Sequence, residues 1–402
     1  MTSATLSRAT TRLTVPEGSL YGLGNLPYGV YSVDGSEPRV ATRLGDVVVD
    51  LALLLEDDIF ASPSLNAFMA QGHERWADVR SSLRAALEGE VPATAVHQLD
   101  EVRLHLPVEV ADYVDFYASE HHAANLGRLF RPQNPDPLTP NWKHLPIGYH
   151  GRAGTIVVSG TDVVRPSGQR KGPDDATPVF GPSTRLDIEA ELAFVVGTGT
   201  PLSTPITVED AERHLFGVAL FNDWSARDLQ AWEYVPLGPH LGKSFASTMA
   251  PWVVPMLALQ EAKVPTPRQE PAPLPYLAAA EPWGLDLDLA VSWNGEVVSR
   301  PPYREMYWSP AQMLAHQTVN GASARTGDVF ASGTISGPAK DSRGAFIELT
   351  WGGAEPVQVG GEVRTFLEDG DEVVITASAP GADGVRIGFG EARGRIVPAR
   401  QT

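Results

Sequence analysis

Glu189 and Glu191 stand one residue apart in Leu186-Asp187-Ile188-Glu189-Ala190-Glu191-Leu192-Ala193-Phe194-Val195-Val196. Read as a strand, period two puts both carboxylates on one face, about 7 Å apart, with Ile188, Ala190 and Leu192 on the other. Two carboxylates this close repel unless a cation sits between them. A solvated strand face carries the same pattern. The run Phe194-Val195-Val196, however, is apolar on both faces, as in a buried strand, and that favours a hard cation held by oxygen, Ca2+ or Mg2+.

A second group lies in Asn222-Asp223-Trp224-Ser225-Ala226-Arg227-Asp228-Leu229-Gln230-Ala231-Trp232-Glu233-Tyr234. On a helix, Asp223, Arg227, Gln230 and Tyr234 span about 60° of arc. An acid, a guanidinium, an amide and a phenol then line one stripe, whereas a solvated stripe more often carries Lys and Glu. The apolar run Val218-Ala219-Leu220-Phe221 delivers Asp223 from a buried strand end. A third pair, Asp115 and His122, is seven residues apart. On a helix these two are nearly in line, about 10 Å apart along the axis. A metal-binding acid beside a histidine base suits that spacing, as does a partly buried histidine satisfied by its neighbours. The adjacent His121 leaves the choice of imidazole open. Last, Arg131, Tyr149, Lys243, Ser247 and Thr334 are cationic or hydroxyl groups that together can bind the carboxylate ends of an anionic substrate.

These residues need elements to hold them. Residues 16–57 read as short strands broken by turns, and 62–89 as helical. The stretch 16–106 forms a small N-terminal domain, preceded by a flexible, Ser/Thr/Arg-rich leader at 1–15. From 107 to 402 strands are expected at 155–158, 186–196, 216–221, 286–293, 345–351 and 371–376. Helices are expected at 112–127, 207–215, 224–234 and 309–320, the last signed by Ser309, Pro310 and Gly321. Val264 to Trp283 holds six prolines and is expected as a surface loop within one domain. The fold class is mainly β (α+β).

Composition narrows the function. Thirty-one basic and 49 acidic residues give a net charge of −18 over 402 residues, which repels nucleic acid and anionic membranes. The absence of cysteine removes thiol nucleophiles, disulfides and Cys-ligated zinc, and fits a cytoplasmic protein. No apolar run approaches the roughly 18 residues of a membrane span. Three apparent motifs fail on spacing. Gly238 to Ser244 is one residue short of a phosphate loop, Gly333 to Gly337 places its serine one position late for a nucleophile elbow, and Gly388 with Gly390 lacks the third glycine of a dinucleotide loop.

Over essentially its whole length the sequence resembles the fumarylacetoacetate hydrolase family. The strings that carry the resemblance are Asp115-Phe116-Tyr117, Pro140-Asn141-Trp142, Gly148-Tyr149-His150-Gly151-Arg152, Asn222 to Asp228, Trp232 to Pro239, Gly242-Lys243-Ser244-Phe245 and Gly333-Thr334-Ile335-Ser336-Gly337-Pro338. The resemblance implies a small N-terminal SH3-like β-barrel, a large C-terminal mixed β-roll and a homodimer. It implies Ca2+ and/or Mg2+ held at Asp115, Glu189, Glu191 and Asp223, with a further cation near Asp223, Lys243 and Ser247. His122, not His121, matches the base that activates water, and Glu348, expected on a strand, matches the acid that orients it. Arg227, Gln230 and Lys243 match groups that receive an oxyanion. Tyr117, Arg131, Tyr149, Gln230, Tyr234 and Thr334 match substrate contacts. The implied reaction is hydrolysis of a C–C bond in a small anionic 1,3-diketo acid to fumarate and acetoacetate, the last step of tyrosine and phenylalanine degradation. Alternatives are a related 3-oxo-acid hydrolase or decarboxylase and a non-catalytic cation-binding protein. The sequence departs from the family at Ala124, His240 and Ser247 and in the segment Pro132 to Thr139 beside Arg131.

Overall fold

The computed structural model describes residues 9–400. At its centre lies the strand Leu215–Asn222, buried at every position. Both faces of this strand are covered, which is why its sequence is a continuous apolar run from Leu215 to Phe221 rather than an alternation. It pairs antiparallel with Ala190–Val196 on one side and with Ser247–Met249 and Trp252–Pro255 on the other. Beyond Ala190–Val196 lie Val329–Ala331, then Tyr113–Phe116 parallel to it, then Gly148–His150. The register aligns Ala190 with Asn222 and Asp115 with Ala331. The ends of Tyr113–Phe116 and Leu215–Asn222 and the start of Ala190–Val196 therefore meet at one edge of the sheet, bringing Asp115, Asp223 and Glu191 together.

The same thirteen-stranded sheet runs on into the N-terminal segment, because Trp252 and Val253 pair with Gly29 and Tyr28. Gly29 is required there: a Cβ would lie 2.6 Å from the Trp252 ring. Strands Tyr28–Ser32, Arg39–Leu44, Val47–Asp50 and Val96–Gln98 continue the sheet as an open arc. Among the described residues no strand pairing closes the expected SH3-like barrel. The free edge of Tyr28–Ser32 is taken by Trp252–Pro255 and Arg103–His105. The helix His73–Leu87 buries Trp76, Val79, Leu83 and Leu87. Trp76 meets Phe216 of the central strand edge-on at 5.3 Å, so both parts of the chain share one core. A second sheet is built mainly from Asp288–Trp293, Glu372–Pro380 and Arg386–Val397.

Several expectations change in detail. Thr10–Arg12, inside the expected flexible leader, pair with Glu90–Pro92; residues 1–8 of that leader lie outside the described residues. The expected helix 112–127 is a strand, Tyr113–Phe116, followed by a helix, Glu120–Phe130, capped by the Ser119 hydroxyl. The strand expected over 345–351 is a short helix, Phe346–Leu349. The strand expected over 186–196 breaks at Ile188 and Glu189, between Leu186–Asp187 and Ala190–Val196. The helix expected over 224–234 begins only at Arg227, so Asp223 stands in the turn before it. In the expected helix 207–215, only Ala211–His214 are helical. The helix Pro310–Thr318 has the full capping box between Ser309 and Gln312. The proline-rich excursion is closed at its base by pairing of Lys263–Pro265 with Trp283–Leu285. Among the described residues no helix is long and apolar enough to cross a membrane.

Candidate active site

A cavity of about 300 Å³ opens over this sheet edge. Its walls include Asp115, Tyr117, His122, Arg131, Tyr149, Glu189, Arg227, Gln230, Tyr234, Lys243 and Thr334. These are eleven of the fifteen residues singled out in the sequence. Glu191, Asp223, Ser247 and Glu348 are not in its walls, and each is buried.

The acidic residues form a floor behind the cavity wall, and of its three members Asp115 alone reaches the wall. Asp115, Glu191 and Asp223 each place a carboxylate oxygen within 4.8 Å of the others. Both Glu191 oxygens are buried with no hydrogen-bond partner among the described residues. Burial, added to the charges of Asp115, Glu189 and Asp223, pushes the Glu191 carboxyl well above the ordinary value. An orphaned carboxylate between two others fits an oxygen-ligated hard cation. Glu189 is not part of this group. It lies in the strand break and is held by Lys243 Nζ and by Arg227 NH1 at 2.8 Å. Burial raises its pKa, but Lys243, Arg227 and His122 outweigh that and hold it far below the usual range. Lys243 Nζ also donates to Asp223 Oδ2 at 2.7 Å, and Ser247 Oγ to Asp223 Oδ1 at 2.7 Å. Burial alone would discharge this lysine; the carboxylates of Asp223, Glu189 and Asp115 hold its pKa above the ordinary value.

The histidine sits on the first turn of Glu120–Phe130, where the Ser119 cap turns His122 inward and leaves His121 outward, 3.6 Å from Glu305. His122 is 2% exposed. Its Nδ1 lies 2.6 Å from Glu348 Oε2, and its Nε2 lies 3.9 Å from Glu189 Oε1. A carboxylate accepts only, so it fixes the proton on Nδ1 of the neutral ring and leaves Nε2 as a free base. Glu348 also accepts from Asn125 Nδ2 at 2.8 Å and Ser336 Oγ at 2.9 Å. Burial would raise Glu348, but the neighbouring His122 and these hydrogen bonds hold it below the ordinary carboxylate value.

Arg227 donates through Nε to Asp187 Oδ2 at 2.8 Å and through NH1 to Gln230 Oε1 at 3.0 Å. Its NH2 is buried without a hydrogen-bond partner among the described residues, as is Thr334 Oγ1. Both residues line the cavity, so both have donors to offer a ligand oxygen. Burial pushes the phenols of Tyr117 and Tyr149 up, which keeps them hydrogen-bond donors. Arg131 caps the helix Glu120–Phe130, and its NH2 reaches Pro137 O at 3.4 Å in the divergent loop. Tyr234 stands at the mouth, 39% exposed.

Three partners escaped the sequence reading. Arg152, known only as part of a matched string, donates to Asp115 Oδ2 at 2.7 Å and to Asp223 Oδ2, and lies over the rings of Tyr113 and Tyr149. Asn125 and Ser336 hold Glu348. Asn125 was not singled out and Ser336 entered only in a matched string and a rejected motif, because their partner Glu348 lies elsewhere in the chain. Asp187, too, entered the reading only as part of the Glu189–Glu191 strand.

Comparison with known proteins adds to this geometry. Residues 112–397 match the family model described as Fumarylacetoacetate (FAA) hydrolase C-terminal, and residues 24–107 match Fumarylacetoacetase N-terminal. The chain is 45% identical to the fumarylacetoacetase of Homo sapiens, over 96% of this chain and 98% of that one. It is also 45% identical to that of Arabidopsis thaliana, over 96% and 97%. Its fold is shared with a fumarylacetoacetate hydrolase from psychrophilic Exiguobacterium antarcticum, at TM-score 0.57 and 20% identity, over 93% of this chain and 100% of that one.

Proposed function

The chain belongs to the fumarylacetoacetase family, and from that premise we propose that it hydrolyses 4-fumarylacetoacetate to fumarate and acetoacetate, closing tyrosine and phenylalanine degradation. The observation that carries this reading is the His122–Glu348 pair, with His122 opening onto a cavity that is backed by the acidic floor and lined by the free donors of Arg227 and Thr334. A decarboxylase needs an electron sink but no water base, whereas C–C hydrolysis needs both.

In this reading His122 Nε2 takes a proton from water as the water attacks a substrate carbonyl. Glu348 keeps the ring in the required tautomer and stabilises the imidazolium that forms. Arg227 NH2 and Lys243 face the oxyanion of the tetrahedral intermediate, with Gln230 steadying the guanidinium. His122 then returns its proton to the leaving carbon. Arg131, Tyr117, Tyr149, Tyr234 and Thr334 orient the two anionic ends. Asp115, Glu191 and Asp223, together with Glu189, would hold a divalent cation, Ca2+ and/or Mg2+, with Ser247 supporting Asp223. That cation would supply Lewis acidity to the diketone oxygens and the enolate leaving group. The protein acts as a cytoplasmic homodimer, with residues 16–106 an N-terminal domain and 107–402 the catalytic one.

The test is loss of the substrate's ultraviolet absorbance with purified protein, with added Ca2+ or Mg2+ and with chelator. Metal-dependent loss yielding fumarate and acetoacetate is expected. A folded, metal-loaded protein that leaves the substrate intact would overturn the reading.

A further inference from the structure

Asp187 is fully buried, yet it touches neither the cavity nor the acidic floor. Its carboxylate accepts four hydrogen bonds. Oδ1 takes those of Ile188 N and Phe346 N, both at 2.7 Å. Oδ2 takes those of Arg227 Nε at 2.8 Å and Ile347 N at 3.1 Å. One side chain thus joins the oxyanion guanidinium to the backbone that carries Glu348. The helix Phe346–Leu349 has no side-chain cap of its own, since Ala345 stands at its N-cap position. Among the described residues, two of its orphan N–H groups are satisfied only by this carboxylate, from a strand 159 residues before Phe346 in sequence. The strand is itself pinned, with Asp187 opposite Ser225 and Leu186 opposite Ala226, immediately before Arg227.

We infer that Asp187 is a positioning residue that sets Arg227 and Glu348 relative to one another, so that the oxyanion donor and the histidine base stay aligned on one substrate carbonyl. Its replacement perturbs both halves of the machinery at once without touching the substrate. Asn at this position keeps the size but turns an NH2 toward donors, so one of the two anchor points must let go.

The kinetic arm rests on the hydrolase reading above, and the structural arm does not. In Asp187→Asn, kcat should fall on the order of 100-fold, the scale of losing one oxyanion donor, while KM stays within about threefold. In an Arg227→Ala background the same change should cost less than it does alone, because part of its effect passes through the guanidinium. Independently of any substrate, the His122 Nδ1–H proton resonance should move in the full-length variant, and the Phe346 and Ile347 amides should exchange faster, with divalent-cation affinity by calorimetry within about twofold. If Asp187→Asn does not fold, Asp187→Ser leaves room for water among the same donors and is read the same way. An unmoved histidine resonance, equal cost in both backgrounds, or a kcat loss no larger than the unfolded fraction would overturn the inference. Failure of the wild-type protein to cleave fumarylacetoacetate, with the structural readouts as expected, would overturn only the hydrolase reading.

Discussion

His122 Nδ1 and Glu348 Oε2 are 2.6 Å apart although 226 residues separate them in the chain. The contact joins the first turn of one helix to a short helix packed beside it, and both side chains are buried. With Nδ1 committed to Glu348, Nε2 is the only ring atom free to take a proton.

His122→Ala should therefore lower kcat by about 10²- to 10⁴-fold, the range for loss of a positioned base. Divalent-cation affinity should stay near wild type, since the ring is no member of the acidic floor. Turnover close to wild type would remove His122 from the base role.

Glu348 gives the protein an acid-sensitive term. Its folded pKa lies below the ordinary carboxylate value, so the folded state binds fewer protons than the unfolded state between the two. The resulting stability is complete above the unfolded pKa of about 4.3 and is lost as pH falls through the folded value. Denaturant titrations from about pH 7 to about pH 3 should show wild type losing more stability on acidification than Glu348→Gln. Parallel profiles would refute the term.

Glu191→Gln should act in opposite directions with and without metal. It removes a buried, unpartnered carboxyl whose ionised form burial and the neighbouring carboxylates disfavour, so the metal-free protein should melt at a higher temperature. It also removes a ligand oxygen's charge, so divalent affinity should fall by more than the roughly tenfold typical of an outer-shell partner. Calorimetric titration and thermal melts with and without chelator read both signs.

Arg152→Gln tests the cation that bridges Asp115 and Asp223. Without it the metal-free carboxylates repel one another and the melting temperature should fall. An added divalent cation should then raise the melting temperature of the variant more than that of wild type. Equal shifts would mean that Arg152 does not compensate the floor.

Gly127→Ala probes the divergent loop. A Cβ at Gly127 would lie 1.9 Å from Pro137 O and 2.7 Å from Pro137 C. The segment 132–139, with its Arg131 anchor, must then move, and kcat/KM should fall on the order of 10- to 100-fold with the fold retained. Unchanged kinetics would separate this loop from substrate binding.

The sequence by itself determined a good deal. The apolar run before Asn222 announced the buried central strand, Ser309 and Pro310 announced their helix, and the matched strings identified the family and the mainly β class. The apolar run Phe194-Val195-Val196 after Glu189 and Glu191 favoured an oxygen-ligated hard cation over a solvated strand face. Short local patterns were ambiguous where tertiary contacts decide the backbone. Tyr113–Phe116 is a strand because Val329–Ala331 lies beside it, although its pattern also suits a helix. Phe346–Leu349 turns as a helix because Asp187 caps it from a distant strand, although its residues suit β structure. Only the fold placed Glu189 in a strand break, turned toward Lys243 and Arg227, while Glu191 remained in the buried acidic floor. Only the fold brought in Arg152, Asn125, Ser336 and Asp187. The physical reason is the same in each case: buried charges and polar groups must find partners, and which partners are within reach is set by the pairing of strands far apart in the chain.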